Sequence, residues 1–108
     1  MALQYVQEND FCNIYGWMLE LKSHTGYRLD MDSIIVYAQI YGFTKSKGMF
    51  FDRIDWLAEW LNTNPTEIDA IIAELMTSGL IERVIVKTKY GKNCVFVARL
   101  RDEDINNG

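Results

Sequence analysis

Apolar residues recur at helical spacing along most of this chain and then switch to simple alternation near its end. In FCNIYGWMLELK (Phe11 to Lys22), Ile14, Trp17, Met18 and Leu21 stand at i, i+3, i+4 and i+7, which predicts a first amphipathic helix. HTGYRLD supplies loop chemistry, with Asp30 or Asp32 placed to cap the next helix. Met31 to Lys45 is apolar almost all round, through Ile34, Ile35, Val36, Tyr37, Ala38, Ile40, Tyr41 and Phe43. That pattern predicts a central helix gripped on several sides; the β-branched residues also permit a strand, but length and the capping Asp favour helix. TKSKG (Thr44 to Gly48) reads as a polar loop and MFF (Met49 to Phe51) as a small strand.

Asp52 is placed to cap a third helix, RIDWLAEWLN, whose buried stripe is Ile54, Leu57, Ala58 and Leu61. Trp56 and Trp60 fall together on a flank of that helix, away from the stripe. They either pack inside the domain or form a partner interface, which would make the chain a dimer. After the short link NTN, NPTEIDAIIAELMTSGLI carries the marks of a fourth helix: Asn64 as cap, Pro65 in the first turn, Ile68, Ile71, Ile72 and Leu75 on one face, and Gly79 at the close. From Leu80 the period becomes two, with Val84 and Val86 alternating with Arg83, Ile85 and Lys87. This predicts a β-hairpin with Gly91 at its tip. The domain is expected to span 1–101, and DEDINNG (102–108) to be a flexible acidic tail or the start of a linker.

Charge changes this picture. The formal net charge is −4, which argues against a polyanionic partner, yet the charge is segregated: −6 over residues 1–79, +5 over 80–101 and −3 over the last seven. The predicted hairpin therefore holds most of the positive charge. Its Arg83, Lys87, Lys89, Lys92 and Arg99 are either a phosphate-binding surface or a solvated edge whose lysines discourage aggregation. The aromatic load of three Trp, six Tyr and five Phe suits a bulky core with some surface left for a partner.

Candidate catalytic chemistry is sparse. Cys12 and Cys94 lack the spacing of a zinc or redox motif and read as free thiols of a reducing compartment. His24, in SHTGY, has no ligand-spaced Cys, Asp or second His and reads as a surface residue. Asp52 and Asp55 suit helix capping and the helix dipole better than acid–base work. There is no P-loop, GxGxxG, HExxH or nucleophile elbow. No enzyme, cofactor, metal or small-molecule substrate is expected. MALQYVQEND has neither a basic n-region nor an apolar h-region, and no run is long enough to span a membrane, so a cytoplasmic protein is expected.

The predicted order of helix, helix, small strand, helix, tight link, helix and hairpin gives a mainly α fold with a small β-hairpin: a winged helix-turn-helix with an additional N-terminal helix. Three blocks resemble a known family. Ile14-Tyr15-Gly16-Trp17-Met18, Ile35 to Phe43 ("IVYAxIYGF") and Trp56 to Asn62 ("LAxWLN"), followed by Gly79-Leu80-Ile81, are similar to the N-terminal winged-helix domain of replication initiators and replisome organisers from phages and plasmids of Gram-positive bacteria. The resemblance implies a role in replication initiation, double-stranded origin DNA as partner, and self-association as a homodimer. Where members of that family carry basic residues at the start of the recognition helix, this chain reads Asn64-Pro65-Thr66-Glu67-Ile68-Asp69. The expected division of labour places Asn64 and Thr66 at base edges, with phosphate contact delegated to the hairpin and to Lys45 and Lys47. The other function class is a protein-interaction module that does not bind DNA.

Overall fold

The structure, a computed structural model, describes the backbone of residues 2–7, 10–51 and 53–105, and the side chains from residue 13 onward within those ranges. Cys12 and Asp52, and with them the expected cap of the third helix, lie outside the described side chains. So do residues 106–108.

Everything is built on α1 (Met31–Lys47). Asp30 caps it, accepting a hydrogen bond from the Ser33 backbone N–H at 2.8 Å, and every residue from Ser33 to Tyr41 is buried. A helix apolar on all sides needs cover on all sides. Cover comes from β2 (Asp10–Tyr15), α3 (Pro65–Thr77), β3 (Phe50–Phe51) and β5 (Gly91–Ala98). The expected TKSKG loop is instead the last turn of α1, which ends at Gly48 in the left-handed conformation (φ 85°). Lys45 and Lys47 thus stand at a helix C-terminus, where cations suit the dipole.

The largest departure lies at the N-terminus. No helix covers 11–22; β1 (Ala2–Gln7) pairs antiparallel with β2, and a 3-10 helix (Gly16–Glu20) comes next. The helical spacing was misleading because Ile14 and Met18 reach the core, at 5% and 0% exposure, from two different elements on either side of Gly16. The expectation of a mainly α chain, a winged helix-turn-helix with an additional N-terminal helix, is therefore corrected. The chain is a small α/β domain with a two-stranded sheet and a separate three-stranded antiparallel sheet, ordered β3-β5-β4, where β4 is Ile81–Thr88.

After β3 come α2 (Ile54–Trp60), a tight link in which Asn62 takes φ 56°, and α3. Asn64 caps α3 through Oδ1, which accepts from the Glu67 N–H at 3.0 Å; Ile68, Ile72 and Leu75 are buried. Gly79 (φ 75°) donates to the Met76 carbonyl and Leu80 to the Leu75 carbonyl, each at 3.0 Å. That paired closure turns the chain into β4. Thr44 bolts the sheet to α1: its hydroxyl donates to the Ile40 carbonyl at 2.8 Å and accepts from the Ala98 N–H at 3.0 Å.

The acidic tail is anchored for part of its length. Residues Asp102–Ile105 form one helical turn, α4. Asp104 there accepts a hydrogen bond from the Tyr41 hydroxyl and pairs with Lys45 Nζ at 3.1 Å, while the Arg101 N–H donates to the same hydroxyl at 3.1 Å. Arg101 also lies over the Trp17 ring, 4.9 Å from its centroid. Among the described residues no helix is long and apolar enough to cross a membrane.

Candidate nucleic-acid interface

The hairpin is an eight-by-eight ladder closed by Lys89 and Tyr90, with Gly91 as the first residue of β5. Thr88 fixes the turn: its hydroxyl donates to the Gly91 carbonyl and accepts from the Tyr90 N–H, both at 3.1 Å. Register then decides where the cations go. Lys87 stands directly opposite Lys92, so two ammonium groups share one face beside the turn that carries Lys89. Like charges directly opposite are destabilising. Among the described residues no ion pair involves Lys87, Lys89, Lys92 or Arg99, and all four are exposed. Lys89 lies over the ring of Tyr90, which is 86% exposed.

Nearer the core the same face is half apolar. Arg83 sits opposite Phe96 with its guanidinium over that ring, 5.6 Å from the centroid, and Ile85 between Arg83 and Lys87 is 64% exposed. The opposite face carries Phe51, Val95 and Val84 in one line across the three strands. Val95 is buried by that arrangement and Phe51 is left exposed.

The remaining candidates stand apart from the hairpin. Asn64 and Thr66 are exposed at the start of α3. The Asn64 cap uses Oδ1, and its amide Nδ2 remains as a donor. The outward face of α3 carries Thr66, Glu67, Asp69, Ala70, Ala73 and Thr77, without a basic residue. Lys47 is exposed, whereas Lys45 is committed to Asp104 and lies 5.9 Å from the Tyr15 ring centroid. The hydrogen bond with Asp104 raises the Lys45 ammonium above its ordinary range, and the Tyr41 hydroxyl holds the Asp104 carboxyl below its own. Pattern could not reveal this pair, because 59 residues separate its members in a segment that reads as tail.

Trp56 and Trp60 do not form an outward aromatic surface. Trp60 is 5% exposed in the core, and Trp56 is half-buried, stacked on Trp60 (centroids 6.0 Å) and packed against Phe43 and Phe50. Of the two readings the sequence left open, burial supports packing. His24 is exposed, its backbone N–H donating to Ser78 Oγ at 3.0 Å. Cys94 is a half-buried free thiol. Among the described residues no group of three or more His, Cys, Asp or Glu is arranged to hold a metal.

No family model, curated protein or solved structure matches this chain. The functional reading therefore rests on the residues themselves.

Proposed function

We propose that the chain is a non-enzymatic, cytoplasmic DNA-binding domain that grips the phosphate backbone of double-stranded DNA through the β4–β5 hairpin. The observation that carries this is the facing pair Lys87 and Lys92 with Lys89 at the turn: positive charge in no ion pair among the described residues, concentrated on one projecting element of an otherwise acidic molecule. Ammonium groups left unneutralised by the protein gain most from phosphate, whose contacts release counterions. Arg83 and Arg99 extend the same element, Lys47 adds a cation at the end of α1, and Asn64 and Thr66 supply polar contacts at the start of α3. The resemblance of the three sequence blocks supports service as part of a phage- or plasmid-type replication initiator.

Fluorescence anisotropy of a labelled generic duplex, titrated at several salt concentrations, tests this. The wild type should lose affinity steeply with salt. Lys87→Ala/Lys89→Ala/Lys92→Ala should bind more weakly and reduce the slope of log K against log salt by about 2–3, close to one per lost phosphate contact. Wild-type binding that is absent at low salt, or indifferent to salt, would sink the reading.

A second reading has one observation in its favour, the exposed face of α3 with Glu67 and Asp69 and no basic residue. It makes the domain a protein-interaction module, including self-association. Sedimentation across a wide concentration range separates the two: a strict monomer removes the self-association form.

A further inference from the structure

Two residues of α1 do not suit a buried central helix, and they stand beside each other in space. Gln39 lies within the buried run at 6% exposure, and its side-chain Oε1 has no hydrogen-bond partner among the described residues. A buried acceptor left unsatisfied costs stability that leucine at the same position would not. Gly42 is one turn further along the same face, in the interior of the helix, where glycine is unfavourable relative to alanine. Packing does not require it, since a Cβ there would meet nothing within 4 Å.

Both residues line a cavity of about 560 Å³ between β2 and α1. That volume lies within the range of small-molecule sites. Tyr15 and Phe43, both half-buried aromatics, form part of its wall, and Lys45 and Lys47 stand at the end of α1. Among the described residues Lys47 is in no ion pair, while Lys45 is held by Asp104. From Gln39 to Lys47 the helix rises about 12 Å. The cleft thus offers a buried carboxamide, an aromatic and aliphatic wall, an open floor at glycine, and cations at the far end. Its complement is a flat, partly apolar molecule with an N–H donor on one edge and an anion roughly one helix-face length away.

We propose that this cleft binds a nucleotide: Gln39 Oε1, sealed from solvent in the free protein, turns into the cleft to accept from the edge of the base, and the phosphate meets Lys47 and, in competition with Asp104, Lys45. The same chemistry is offered by a free nucleoside monophosphate and by one residue of a single strand. This site shares Lys47 with the duplex contact proposed above and uses none of the hairpin residues.

Calorimetric titration of AMP, dTMP, ribose 5-phosphate and a short oligothymidylate tests it on the wild type, Gln39→Leu and Gly42→Leu. The nucleotides should bind the wild type, and ribose 5-phosphate at least about tenfold more weakly, because it leaves the carboxamide unmet. Gln39→Leu should weaken nucleotide binding about tenfold with no fall in melting temperature, and Gly42→Leu should abolish it by filling the floor. Oligothymidylate binding tighter than dTMP assigns the site to a strand, and equal or weaker binding to the free nucleotide. The proposal is overturned if no nucleotide binds the folded wild type, if ribose 5-phosphate binds as tightly as AMP, or if Gln39→Leu keeps full affinity. Should Gly42→Leu fail to fold, Gln39→Leu decides alone. The Lys87/Lys89/Lys92 variant should retain nucleotide binding and Gln39→Leu should retain duplex binding, so failure of one site is read separately from failure of the other.

Discussion

The Thr44 hydroxyl works in two directions at once, and nothing apolar of its size can replace it. Thr44→Val keeps the shape but strands the Ala98 N–H in a buried position, where an unmet donor costs about 1–3 kcal/mol. Urea denaturation should register a loss of that order with an unchanged m-value. Asp104 gives a prediction with a pH sign. Its carboxyl is held below the ordinary range, first by the Tyr41 hydroxyl and then by Lys45, against the opposing effect of burial. A depressed carboxyl contributes stability above its unfolded pKa, lost as pH falls through the folded value. Asp104→Asn should therefore lower the melting temperature at neutral pH, by a loss of about 1–2 kcal/mol, and the two profiles should converge once pH has fallen below the folded value. At the alkaline end, burial raises the Tyr41 hydroxyl, and Asp104 raises the Lys45 ammonium, so their contribution persists to pH of about 10 and falls away above it. Tyr37, pushed up to about 12 by burial with Arg101 opposing, adds to that alkaline loss.

At the scale of elements, α3 was legible because cap, stripe and terminator agreed, and α1 because its cap and its long apolar run did, although its last turn reads as loop in the sequence. Asp30 and Asn64 cap as expected, and Ile68, Ile72 and Leu75 are buried together. Gly79→Ala tests the terminator: it forces a Cβ into left-handed backbone at the turn into β4 and should cost about 1 kcal/mol by chemical denaturation. The N-terminal hairpin was illegible for a physical reason. Ile14, Trp17, Met18 and Leu21 copy a helical stripe, while the partner that makes residues 10–15 a strand is the segment from Ala2 to Gln7, which no local period announces. Trp56 and Trp60 looked homeless on a wheel of α2 alone. Their packing depends on Phe43 from α1 and Phe50 from β3, a meeting set by tertiary structure. The site was partly legible: composition located the basic hairpin, but only strand register places Lys87 against Lys92. Gln39 stood in plain view as the polar residue of an apolar run, and its meaning needed the cleft.

For the molecule as a whole, charge and core have opposite distributions. Most of the core side chains come from residues 14–81, which hold nine of the fifteen acidic groups and five of the eleven basic ones, and the basic strands reach back to seal that core with Phe96 and Ala98. Removing β5 by truncation after Tyr90 should therefore abolish cooperative unfolding instead of merely deleting the proposed DNA contact. A scanning-calorimetry trace that still showed one sharp transition would contradict this.

That arrangement has a consequence for synthesis. Thr44 meets Ala98 and Tyr41 meets Asp104 across separations of 54 and 63 residues. While the chain is being made, α1 emerges early with apolar residues on every side and waits for its final cover until β5 leaves the ribosome. Folding of this domain is accordingly completed only after β5 has been made, and the interval before that is when α1 is most open to chaperones or to aggregation.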